Sequence, residues 1–160
     1  MHRGRALSGR RGAAATAVAL LALAGCGERP VRAVPFDASD SLVCQEVAQV
    51  WPESVGPYEP RVTAVQSDGV AAWGDPPIVA RCGKAAPGPT TDPCIDVAGV
   101  DWVATVLDDG GTMFTTYGRE PALEVLVPAD YDSHPLLLPP FDDAARVVPQ
   151  TSGECSSPEG

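Results

Sequence analysis

Leu42, Val43, Val47, Val50 and Trp51 recur at helical spacing just after Asp40-Ser41. A short oxygen-bearing side chain ahead of such a run can take the first free N–H groups, so the spacing predicts a capped amphipathic helix of about three turns. Pro52 ends it, and Pro57 and Pro60 mark a loop. The period then falls to two. Strands are predicted at 61–65, 70–73 and 78–82, separated by a Ser67-Asp68-Gly69 turn and a Gly74-Asp75-Pro76-Pro77 bend. Residues 83–93 hold three prolines and two glycines and read as a loop. Val100, Trp102, Ala104 and Val106 then alternate with Asp101, Val103, Thr105 and Leu107. Asp108-Asp109-Gly110-Gly111 is a hairpin turn, followed by strands at 112–117 and 122–127. In the last of these Leu123, Val125 and Val127 face one way and Glu124 the other. Phe141, Ala144, Ala145 and Val148 are spaced for a second short helix. The pattern predicts an α+β domain: an antiparallel β-sheet of about five to six strands with about two helices on one face.

The start of the chain follows another logic. Residues 1–25 contain Arg3, Arg5, Arg10 and Arg11, no acid, and a short apolar run from Ala13. This is the composition of a secretory signal, and the run is short for a permanent membrane span. Leu23-Ala24-Gly25-Cys26 resembles the bacterial lipobox. That resemblance implies a diacylglycerol on the Cys26 thiol, cleavage just before it, and a domain lipid-anchored to the outer face of the cytoplasmic membrane. The alternative is a plain secreted protein with an ordinary thiol at Cys26. Arg10-Arg11 suggests twin-arginine export, although the flanking residues match poorly.

The expected organisation is signal segment 1–25, extended linker 26–39 containing Pro30 and Pro35, domain 40–149, and a small polar tail 150–160. The 160 residues carry 11 Lys+Arg and 21 Asp+Glu, a net charge of −10. Loss of the signal removes four arginines and no acid, giving −14. Such a charge disfavours nucleic acid as a partner and should hold the domain off anionic headgroups on its linker. With 44% hydrophobic residues a core can form, while 16 Gly and 17 Pro imply short elements.

Setting Cys26 aside leaves Cys44, Cys82, Cys94 and Cys155, an even number that reads as two disulfides. Loop length favours Cys82–Cys94. Facing favours another pairing: Cys44 shares a helical stripe with Val47 and Trp51, and Cys82 shares a strand face with Ile78 and Ala80. Cys44–Cys82 would staple helix to sheet, leaving Cys94–Cys155 to hold the tail. Facing favours this second pairing, and all three remain open.

Candidate chemistry is sparse. After signal removal His134 is the one histidine left to act as a base, and no catalytic set or cofactor is expected. Asp130, Asp132 and His134 would share one side of an extended stretch and could hold a divalent cation; a solvated loop is the plainer reading. Asp108-Asp109-Gly110-Gly111 lacks the further ligands of a calcium loop. Trp73, Tyr117 and Arg119 are candidates for recognition, since aromatics and arginine carry interface energy. The competing reading puts Trp73 over the Pro-Pro turn, with Trp102 in the core. Arg81, inside a strand, needs a partner, and Asp75 or Asp101 could serve.

Five blocks occur in a particular order: Trp73-Gly74-Asp75-Pro76-Pro77-Ile78-Val79, Arg81-Cys82-Gly83, Gly99-Val100-Asp101-Trp102, Thr116-Tyr117-Gly118-Arg119 and Val125-Leu126-Val127-Pro128. Together they resemble the actinobacterial lipoproteins grouped as domain of unknown function family 3515, over roughly Ser41 to Pro149. The resemblance implies an envelope lipoprotein with no known catalytic residues to carry over. The expected function is a non-enzymatic membrane-anchored module that binds or supports an envelope protein or cell-wall component. A small-molecule-binding lipoprotein is the alternative, and a carboxylate-based envelope hydrolase the third reading.

Overall fold

The alternation that marks 100–106 builds the strand next to one edge of a seven-stranded sheet. The structure, a computed structural model, describes residues 27–156; the expected signal segment and Cys26 lie outside them. The strands are β1 (Pro60–Arg61), β2 (Val70–Trp73), β3 (Ile78–Lys84), β4 (Cys94–Val97), β5 (Val100–Val106), β6 (Thr112–Thr116) and β7 (Ala122–Val127). Their order is β1-β2-β3-β7-β6-β5-β4, and every neighbouring pair is antiparallel. Helices α1 (Leu42–Ala48) and α2 (Asp142–Val147) pack on each other against one face. The architecture is α+β, with one strand more than the upper expectation.

The additional strand is β4. It joins β5 through a two-residue turn in which Ala98 (φ 54°) and Gly99 (φ 75°) both adopt positive φ. That geometry twists with the strands, but its usual signature is Asn-Gly or Asp-Gly, so Ala-Gly left the hairpin unmarked. Arg146 donates to the Ala98 carbonyl from α2 and supports the turn. The first strand is shorter than expected: β1 ends at Arg61, and Val62 is 73% exposed. Helix α1 has seven residues, two turns rather than three. Ser41 caps it, its Oγ accepting from the Cys44 N–H at 3.4 Å. Leu42 lies outside the buried stripe, which is carried by Cys44 and Val47.

The core lies between helices and sheet. Trp73, Ile78, Trp102, Phe114, Leu123 and Val125 meet Val47, Phe141, Ala144, Ala145 and Val148, all essentially inaccessible. The disulfide Cys44–Cys82 crosses this layer and ties α1 to β3; the second bridge is Cys94–Cys155. This is the pairing favoured by facing.

The opposite face mixes a small apolar cluster with the Arg81, Lys84 and Glu124 charges and is covered by two irregular segments. β3 and β4 run parallel with three strands between them, so residues 85–93 must cross the sheet. Near the end of that crossing Asp92 accepts from the Thr105 hydroxyl at 2.8 Å, and the Pro93 carbonyl takes the Ala104 N–H. The second cover is the segment expected as an extended linker, 26–39: from Val31 onward it is docked on the sheet. Val31 pairs parallel with Thr63 through two backbone hydrogen bonds of 2.8 Å, and Val31 and Ala33 pack on Ala72 and Val79. Ser39, 1% exposed, donates to the Cys82 carbonyl at 2.7 Å.

Candidate functional site

The residues singled out for recognition do not converge. Trp73 is 1% exposed and belongs to the core: its ring stands edge-on to Trp51 and Phe141, and its Nε1 donates to the Pro52 carbonyl. Arg119 is 6% exposed, and its guanidinium donates to the carbonyl of Val148, left free where α2 ends. Its pKa is lowered first by burial, then by repulsion from Arg146, while Asp101 pulls the other way. Trp73 and Arg119 are therefore buried and engaged within the fold rather than gathered with Tyr117 on one exposed surface. Tyr117 is half-buried and packs beside Gly153 of the tail.

The expected cation ligands are also dispersed in role. His134 Nδ1 lies 2.7 Å from the Thr112 hydroxyl, while Asp130 and Asp132 are exposed. Among the described residues no three His, Cys, Asp or Glu side chains gather as a metal site would require.

Arg81 has a different partner from either acid expected of it. Asp75 lies 3.7 Å from Arg61, and Asp101 accepts from Gln150 and from the Cys155 N–H. Arg81 instead meets Glu124, its cross-strand neighbour between β3 and β7, with Nε 3.0 Å from Oε1. Lys84 takes the other carboxylate oxygen and lies 3.2 Å from the Thr115 hydroxyl. Glu124 is 1% exposed at the centre of the sheet. Phe36 of the docked segment stacks 4.3 Å from the Arg81 guanidinium carbon, and the Val34 carbonyl accepts from it. Both carboxylate oxygens are engaged by cations, so Glu124 serves as the shared counter-ion of Arg81 and Lys84.

The sequence blocks behind the family resemblance prove to be docking points. In Arg81-Cys82-Gly83, Gly83 (φ +107°) leaves room for the N-terminal segment: a Cβ there would meet the Ser39 nitrogen at 2.6 Å and the Ala38 carbonyl carbon at 2.7 Å. In Thr116-Tyr117-Gly118-Arg119, the Gly118 carbonyl accepts from the N–H groups of Thr151 and Ser152. A Cβ on Gly118 would strike the carbonyls of Ser152 and Gly153. Asp101 completes the clasp beside Cys94–Cys155. The Trp-Gly-Asp-Pro-Pro block is held from outside, with Arg61 on the Gly74 carbonyl and the Tyr131 hydroxyl on the Pro76 carbonyl, both at 2.6 Å. Burial, then Tyr58 and the acids Asp75 and Asp130, keep the Tyr131 hydroxyl protonated above the usual tyrosine range.

Gly118→Ala is accordingly expected to cost about 1–3 kcal/mol, from positive-φ strain plus displacement of the tail. Amide hydrogen exchange should show the loss concentrated in 150–155. Unchanged protection there would contradict the clasp.

Two depressions of about 530 Å³ each mark the surface. One lies at the tail and is lined by Asp96, Asp101, Gln150 and Glu154 among others. The second lies at the other edge of the sheet, between Arg29, Pro30, Arg32 and Ala64.

Residues 12–151 match a family model described as protein of unknown function (DUF3515). No curated protein and no solved structure matches the chain.

Proposed function

Because the chain belongs to the DUF3515 family, whose description names no activity, we propose its role from the residues themselves: a lipid-anchored extracytoplasmic domain that binds or supports another envelope component without catalysing a reaction. The observation that carries this reading is the use of the cysteines. Four of the five close two bridges within the domain, so Cys26 has no cysteine of its own chain left to pair with. Stable bridges of this kind belong to oxidising compartments. Cys26 also stands directly after Leu23-Ala24-Gly25, where a lipid-transferring enzyme requires its thiol. Among the described residues no helix is long and apolar enough to cross a membrane. The proposed attachment is the lipid on Cys26.

Among the described residues, the segments on either side of the domain are fastened to the sheet, one at Ser39 and Gly83, the other at Gly118 and Cys155. Such fastening leaves these two segments little slack for proteases, which suits a domain working outside the cell.

Cys26→Ala is expected to move the protein out of the membrane fraction of the cells that make it. Crosslinking of the native form, read by mass spectrometry, then identifies the supported component. A Cys26→Ala protein that sediments with membranes as fully as the native one would overturn the anchor. A native protein that yields no crosslinked neighbour but turns over an envelope substrate would overturn the non-enzymatic role.

A further inference from the structure

We infer that the sheet edge next to Cys26, formed by residues 29–34 and Val62, lies against the phosphate groups of an anionic bilayer surface. The inference rests on the lipid anchor proposed above and adds an orientation to it.

The docked segment shortens the tether. Val31 is fixed to Val62, Thr63 and Ala64, so residues 27–30 alone separate Cys26 from a rigid edge. Even fully extended, that span covers about 17 Å. A lipid on Cys26 thus holds this edge at the headgroups, and the picture of a domain floating on a long linker no longer applies.

Charge points the same way. Of the seven Lys and Arg among the described residues, Arg61, Arg81 and Lys84 are ion-paired, and Arg119 and Arg146 are committed to backbone carbonyls. Arg29 and Arg32 are the remaining two; both are exposed, and among the described residues neither guanidinium has an ion pair or hydrogen bond. In a chain of net charge −10, these two uncommitted cations of the described residues follow Cys26 by three and six positions and line one depression. Glu28 and Asp75 are both drawn to Arg61, while Glu59 before β1 and Asp37 after the segment stay exposed, so the edge carries both signs and the two arginines are its free cations among the described residues. The acidic turn at Asp108-Asp109 joins β5 and β6, at least four strand positions from β1. That is about 20 Å, well beyond a Debye length of about 8 Å, so the local sign governs contact.

The pattern of the edge fits a lipid surface. Val31 and Ala33 face inward on Ala72 and Val79, which turns Arg32 and Val34 outward together. Val34 is 75% exposed and Val62 73%. Arginines can meet phosphates while the valines settle at the headgroup boundary.

The test uses the natively processed protein in vesicles of phosphatidylcholine with and without phosphatidylglycerol. At roughly fivefold per arginine, the pair favours the docked state about thirty-fold on the anionic surface. Amide exchange across 28–36 and 61–65 should slow toward that factor when phosphatidylglycerol is present. The Arg29→Glu/Arg32→Glu variant should lose the slowing while remaining attached. Equal exchange on both vesicles, in protein that carries its acyl mass and floats with them, overturns the docking alone. Protein that lacks the acyl mass and does not float overturns the anchor and the docking with it.

Discussion

Glu124→Ala is expected to destabilise the domain by about 3–5 kcal/mol, as loss of one partner from a buried ion pair does. The carboxylate is 1% exposed on the central strand, and it neutralises both Arg81 and Lys84, whose side chains are 18% and 25% exposed. Removing it leaves two cations facing each other beneath the Phe36 segment with no counter-charge. Glu124→Gln preserves the volume and one acceptor, so it should recover part of the loss and no more. Replacing all three groups by apolar residues of similar size (Arg81→Met, Lys84→Met, Glu124→Leu) should return stability to within about 2 kcal/mol of the starting protein. Urea denaturation midpoints at constant slope measure each step. A Glu124→Ala protein within about 1 kcal/mol of the native one would contradict the assignment of the cluster as a structural counter-ion set.

The second large effect belongs to the Cys44–Cys82 bridge. Its sequence separation of 38 corresponds to about 4 kcal/mol in the chain-entropy account. Both cysteines are fully buried between α1 and β3, so Cys44→Ala/Cys82→Ala also thins the core where helix meets sheet. Loss of the whole domain's cooperative stability is expected. The Cys94–Cys155 bridge spans more residues, with a separation of 61, yet both of its cysteines are partly exposed. Without it the tail can undock locally and leave the sheet folded, so its removal should cost less than its loop length suggests. Thermal unfolding of the two double variants compares them directly. A larger loss from the tail bridge than from the buried one would contradict this ranking.

Part of this was legible in advance, for identifiable reasons. Phe141, Ala144, Ala145 and Val148 all reach the core, because one face of a short helix is decided by local spacing. The bridges follow from facing for the same reason: Cys44 and Cys82 each occupy the inward stripe of their own element. What depends on distant pairing could not be read. Arg81 and Glu124 are 43 residues apart and meet because β7 inserts beside β3, an order that alternation alone does not dictate. The β4–β5 turn was hidden by an alanine in a conformation usually given to asparagine or glycine. For Trp73 and Arg119 the sequence supports both a recognition and a structural reading, because residue type and a neighbouring turn do not decide burial; in the fold one fills the core and the other holds the Val148 carbonyl. The prolines and missing periodicity of 26–39 describe an extended chain and do not show that 31–39 docks. Its docking depends on room left by Gly83, far along the sequence.

The proposed account stands on where the polypeptide begins in the cell and what its sulfurs carry. Intact-mass and N-terminal peptide analysis of the native protein tests this most directly. The account predicts a chain starting at Cys26, heavier by a diacylglyceryl group, with Cys44, Cys82, Cys94 and Cys155 oxidised as two bridges. A chain still starting at Met1, unmodified at Cys26 and with four free thiols in the domain, would contradict it.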